Sequence, residues 1–251
     1  KVRTSESEWL FSETKSSVDV DVSSDTAVTE KLVQDGFTVV DGDNVNDPLE
    51  NGTFKHPYDV IQEGVWAAHA GVNDTVYVFP VSEVGDRYME TVYIAPNVSV
   101  WGSGVPIFSP YDGHVFGGIE KPVVDGMSMG PTFRMGENTE LRGMRIENTF
   151  DAGNLAHSAL NLNNWMLSPT EPTVYFVGRA GIVSRNAGDL HIENVDVEGA
   201  SYGAVLISHS WAHEDFAPVI ENSSFVGNWN GGVVIDGRGH GPHDFEPELY
   251  N

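Results

Sequence analysis

The sequence predicts an all-β chain, a right-handed parallel β-helix or solenoid with a short N-terminal cap segment and a helix. Three observations carry this. From Thr75 onward, short β-rich runs alternate with Gly, Asn, Asp and Pro. No long helices stand between them, which excludes a doubly wound α/β sheet. And several stretches recur at intervals that suit the coils of a solenoid.

Taken in order, residues 1–57 are polar and irregularly patterned, and read as an N-terminal cap or attachment segment ahead of a β-helix over 58–251. Within the cap, Val18 to Val22 alternates apolar and acidic residues, and Thr29 to Gln34 suits a short helix. Asp41, Asp43 and Asp47 place oxygen groups as a calcium loop would. The central glycine and bidentate glutamate of an EF-hand loop are missing, so a polar turn is expected here and no cofactor, with calcium as the alternative. Val60 to His69 has amphipathic spacing, with Val60, Ile61, Val65, Trp66 and Ala68 apolar, and would cover an open end of the fold. The strands follow at Val76 to Phe79, Val92 to Ile94, Val98 to Trp101, Val123-Val124 and Phe133 to Met135.

Repetition supports the solenoid. Ile-Glu-Asn occurs at Ile146, Ile192 and Ile220, at intervals of 46 and 28 residues. Gly181-Ile182-Val183 followed by His191 to Gly199 aligns with Gly203-Ala204-Val205 followed by Val219 to Gly227, and a third unit opens at Gly231. In stacked parallel strands the apolar positions share an interior, while a corner must bend sharply. Asparagine tolerates the left-handed conformation better than any residue but glycine, so the Asn of each tripeptide is expected to be such a corner.

Charge bounds the function. Asp and Glu number 37 against 13 Lys and Arg, a formal net charge of −24. Self-repulsion of this size needs an offset, and molar salt, which shrinks the Debye length to about 3 Å, provides one. The acidic residues are spread along the chain and lysine is confined to positions 1, 15, 31, 55 and 121, so a very saline setting is expected. Clustered Lys and Arg are missing, which excludes nucleic acid as a partner. No apolar run approaches the roughly 20 residues a membrane-spanning helix needs, so no membrane insertion is expected. The chain opens on Lys1 and reads as a mature or excised segment. It lacks cysteine, which excludes thiol chemistry. Sequons at Asn51, Asn73, Asn97 and Asn222 are compatible with an extracellular protein.

From Tyr58 to about Ile235 the chain resembles the pectin lyase-like right-handed β-helix proteins. The resemblance rests on the helix-like Val60 to His69, then Asn73 to Pro80, Tyr88 to Ile94 and Val98 to Gly104. That group includes pectinesterases, copper-site maturation proteins and phage tailspikes, so the resemblance implies a fold and no single activity. Asp112-Gly113-His114 only echoes a pectinesterase motif, and Gly239-His240-Gly241 matches one element of a polygalacturonase set. The Arg-x-Pro-x-x-Arg of pectate lyases does not occur. No catalytic set carries over. By analogy with tailspikes, a homotrimer or larger surface assembly is implied.

The loops after equivalent strands lengthen toward the C-terminus and are expected to form a ridge over 208–215 and 236–244. There Trp211 could stack on a sugar while His209, His213, Asp215, Arg238, His243 and Asp244 bind its hydroxyls. Asp236, His240 and Asp215 are the acid-base candidates should the ridge be catalytic. Metal binding by His209, His213, His240, His243 and Asp244 is a third reading, although their spacing fits no established motif. Trp165, Trp211 and Trp229 are further candidate glycan platforms. The expected function is a non-enzymatic spike, fibre or adhesin exposed on a cell or virion surface that recognises cell-surface glycans. The alternative is an extracellular polysaccharide lyase or glycoside hydrolase acting through the ridge.

Overall fold

The computed structural model describes residues 2–3, 17–18, 37–70, 74–82, 86–108, 115–118, 120–127, 129–148, 179–185, 187–208, 216–237 and 247–250. They form a mostly β protein with three parallel sheets and one helix. The first sheet runs, in hydrogen-bonded order, β20 (Glu248–Tyr250), β17 (Val219–Glu221), β14 (Leu190–Glu193), β11 (Thr139–Arg142), β6 (Ser99–Gly102), β4 (Thr75–Val78) and β3 (Phe37–Val40). The second runs β19 (Gly231–Asp236), β16 (Tyr202–Ile207), β13 (Ile182–Arg185), β10 (Phe133–Met135) and β5 (Val92–Ile94). The third runs β18 (Ser224–Val226), β15 (Asp196–Glu198), β12 (Arg145–Glu147) and β9 (Val123–Asp125). Two short antiparallel pairs stand apart, β1 (Val2–Arg3) with β2 (Ser17–Val18), and β7 (Ile107–Phe108) with β8 (Val115–Phe116).

The chain visits the three parallel sheets in strict turn, as β5–β6–β9, β10–β11–β12, β13–β14–β15 and β16–β17–β18. Register keeps like with like. Val76, Val100, Leu141, Ile192 and Ile220 form one column, Val92, Phe133, Ile182, Ala204 and Val233 a second, and Val124, Ile146, Val197 and Phe225 a third. All three columns meet in one apolar cluster. Side chains alternate across a strand, so one residue in two enters this cluster and the next faces outward. Each fully buried Val, Ile or Leu contributes about 1.5–3 kcal/mol.

The repeat alignment of the first two units matches the observed register, with Ile182 against Ala204 and Asp196 against Ser224, while the third unit is displaced by one residue, with Ala204 against Val233. The first Ile-Glu-Asn is a correction. Ile192 and Ile220 pair in the first sheet, but Ile146 lies on β12 in the third sheet, opposite Val197 and Val124. Asn194 and Asn222 are left-handed, at φ 55° and 50°, as corners should be, whereas Asn148 is not among the left-handed residues. Its buried amide donates to the carbonyls of Gly130 at 2.8 Å and Ala180 at 3.1 Å. The interval of 46 therefore counts residues between two different sheets.

Strand β3 falls inside the stretch read as a cap, yet it pairs in parallel with β4. The helix, α1 (Ile61–Ala70), is displaced by one residue from the reading above and buries Ile61, Gly64, Val65 and Ala68. Trp66, counted with its apolar face, is 61% exposed. One turn of helix separates Ile61, Val65 and Ala68 onto a single face, and Trp66 lies off it. Of the Val18 to Val22 stretch, only Val18 is described, and Thr29 to Gln34 lies outside the described residues.

Candidate functional site

Of the ridge residues, Asp215, Trp211, His209, His213, Arg238, His240, His243 and Asp244 lie outside the described residues, as does Trp165. Asp236 is described. It closes β19 on the outward face of the second sheet, in register with Ile207, and its carbonyl accepts a hydrogen bond from Ser208 N at 2.8 Å. Only 7% of it is exposed. Trp229 is exposed.

The Asp41 to Asp47 stretch is a hydrogen-bonded turn. Asp41 Oδ1 accepts from Asp43 N at 3.1 Å and Asp47 Oδ1 from Leu49 N at 2.9 Å, while Asp47 Oδ2 lies 2.7 Å from His56 Nδ1. The His56 contact is the main cause that holds the Asp47 carboxyl below its ordinary range.

The described residues bring together polar groups on the outer face of the first sheet. Because β11, β14 and β17 are parallel and in register, their outward residues form two straight columns. One column runs Glu140, His191, Val219 and Glu248, and the other runs Trp101, Arg142, Glu193, Glu221 and Tyr250. His191 bridges them. Its Nε2 lies 2.8 Å from Glu221 Oε1 and its Nδ1 lies 3.9 Å from Glu140 Oε1. Glu140 also accepts a hydrogen bond from Trp101 Nε1 at 3.1 Å. Arg142 stacks 4.9 Å from the Trp101 ring centre, ion-pairs with Glu193, and lies 3.8 Å from Glu140. These side chains are half-buried, where charge-assisted hydrogen bonds outweigh those of fully solvated groups.

Beside this network a shallow depression of about 280 Å³ is lined by Asn138, Glu140, Asp189, His191, Val219 and Glu221 among others. It offers amide, imidazole and carboxylate groups, donors and acceptors together, on a scaffold fixed by the strands. At the end of the same face Tyr250 is 56% exposed, and its hydroxyl, hydrogen-bonded to Glu248, is held above its ordinary range.

This site was not singled out in the sequence. The signal was there in part, since aligning His191-Ile192-Glu193 with Val219-Ile220-Glu221 buries the isoleucines and turns their neighbours outward. What it lacked was β11. With a single apolar residue, Leu141, Thr139–Arg142 carries no strand signature of its own, so Glu140 and Arg142 could not be assigned to this face.

A second charged ladder lies on the third sheet. Asp125 and Glu147, 4% and 9% exposed, both pair with Arg87. Arg145 joins Glu147 at 3.2 Å and also pairs with Glu198, and Lys121 meets Asp196 at 2.8 Å. Here nearly buried carboxylates are compensated by cations, as burial requires, and the ladder reads as structural.

Comparison with protein-family models and with curated protein sequences finds no match, and the functional reading rests on the residues themselves.

Proposed function

We propose that the chain is a right-handed parallel β-helix exposed outside a cell or on a virion in molar salt, where it recognises a cell-surface glycan. The helical winding is supported by the strict rotation of the chain through three sheets around one core and by the right-handedness of nearly all parallel crossovers. Glycan recognition is carried by the depression on the outer face of the first sheet, where Asn138, Glu140, Asp189, His191 and Glu221 gather. Sugar hydroxyls donate and accept at once, and a few convergent polar groups on a rigid surface suit them. The stretches 208–215 and 236–244 remain a further proposed contact surface, with Trp211 as its stacking platform.

The test is a glycan array run beside a reducing-end release assay in about 2 to 3 M KCl, which screens the excess charge. Wild type, His191→Ala and the double variant Asp236→Ala/His240→Ala are compared. Binding without release, weakened at least about tenfold in His191→Ala, supports recognition at the sheet face. Weakening confined to the double variant moves the contact to the loops.

One observation favours the enzymatic alternative of a polysaccharide lyase or hydrolase. His191 Nε2 sits 2.8 Å from Glu221 Oε1, an imidazole oriented by a carboxylate as a general base is. Release of reducing ends that disappears in His191→Ala would establish that reading and overturn simple binding.

A further inference from the structure

We infer that His191, Glu193 and Glu221 form a binding site for a borderline divalent cation of the zinc type. One nitrogen or oxygen from each of the three side chains lies within 4.8 Å of the others, so small side-chain adjustments bring all three within reach of one ion bonded at about 2.0 to 2.2 Å to each. The positions are rigid: His191 and Glu193 are alternate residues of β14 on the same outward face, and Glu221 is the register partner of Glu193 on β17.

Charge fits the same conclusion. Glu193 and Glu221, with Glu140 3.9 Å from the His191 ring, give three carboxylates against the single guanidinium of Arg142. The excess of two negative charges matches a divalent ion. Arg142 meets Glu193 through Oε2, and a carboxylate can hold a cation through its other oxygen. The hydrogen bond between His191 Nε2 and Glu221 Oε1 sets the imidazole in place, and an ion that replaces its proton moves the two atoms slightly apart. Donor type selects the metal: an imidazole with two carboxylates suits zinc-like ions, whereas calcium takes six to eight oxygens. Three protein ligands on an open face leave a coordination position for solvent or a ligand oxygen. The site does not depend on glycan recognition, because the ion is bound by the protein alone.

The experiment is calorimetric titration of ZnCl2 into the chelator-treated full chain, in about 1 M KCl to suppress diffuse cation binding to so acidic a protein. One equivalent is expected to bind with an affinity that falls at least about tenfold in His191→Ala and in the isosteric Glu221→Gln, and CaCl2 at equal concentration should not compete. In wild type, Zn2+ should shift the imidazole resonances of His191, a readout that needs no variant to fold. Variants that bind zinc like wild type, displacement by calcium, or zinc that moves only other histidines would each overturn the site. Glycan binding is measured without zinc, so either result leaves the other standing.

Discussion

Asn194 and Asn222 occupy the corner that follows the outward glutamate of their strands, both with positive φ. At the equivalent corner after β11 stands Gly143, φ 64°, where a Cβ would come 2.7 Å from Val105 N and 2.8 Å from Gly102 O. The corner conformation is shared, but crowding at Gly143 excludes any side chain. Elsewhere Asn97 and Asn138, also left-handed, stack so that the Asn138 amide donates to Asn97 Oδ1 at 2.9 Å. Asn222 is exposed, so its backbone preference can be read in isolation. Asn222→Ala should cost about 1 kcal/mol for placing an alanine in the left-handed region, and Asn222→Gly should stay within about 0.5 kcal/mol of wild type. Urea unfolding of the two variants in high salt measures both. The corner role of asparagine was legible in the sequence, while the burial of Glu147 was not. An identical Ile-Glu-Asn carries half-buried and buried glutamates alike, and only the arrival of Arg87 from a distant loop distinguishes them.

Helix α1 does two jobs at the start of the sheets. Its apolar face packs on β3, β4 and β5. Its Gln62 amide meets the edge strand β5 as a neighbouring strand would, accepting from Tyr93 N at 2.6 Å and donating to Tyr93 O at 3.2 Å, which blunts an edge open to unwanted pairing. Contact with the sheet is close at Gly64, where a Cβ would stand 2.5 Å from Val40 Cγ2 and 3.1 Å from Val76 Cγ1. Gly64→Ala should therefore destabilise by about 1 to 2 kcal/mol, since overpacking outweighs the better helix propensity of alanine. A rise in stability would show that the helix can move off the sheet. Glu90 receives the first turn, accepting from Ile61 N at 2.9 Å and Gln62 N at 3.0 Å. Burial nevertheless raises its carboxyl above the ordinary range. At this scale the sequence spoke clearly where β-branched and aromatic residues cluster, as in β5, β6 and β10. It was silent for β11, which is defined by the neighbours it pairs with, whereas β3 carries the same signature in Phe37, Thr38, Val39 and Val40 and was obscured by the polar stretch around it.

Across the whole molecule the excess of negative charge sets the conditions of stability. Tm is expected to rise by several degrees between about 0.1 and 2 M KCl as the Debye length contracts, and a flat response would count against a saline setting. Acidity should act in the same direction. Asp41, Glu50 and Glu90 are raised, chiefly by burial, so the folded chain takes up their protons more readily than the unfolded one. Their stabilising contribution is full below the ordinary carboxylate range and is lost as pH rises through their raised values. In dilute buffer, moving from pH 7 to about pH 5.5, above the range where the paired carboxylates protonate, should therefore raise Tm, and the gain should shrink in Glu90→Gln.

The columns of the third sheet bear on how this chain can change length. Arg145 pairs with Val123 on one side and Asp196 on the other in unbroken register, although residues 149–178 intervene before the next round of strands begins. Alignment is thus dictated by which side chains fit above and below, and the mileage of chain spent between rounds is free to vary, since each doubling of a loop costs only about 0.6 kcal/mol in closure entropy. A lineage can splice new sequence into a stretch between rounds, or shorten it, and keep the stacked strands. The same latitude makes it a natural port for grafting a foreign peptide.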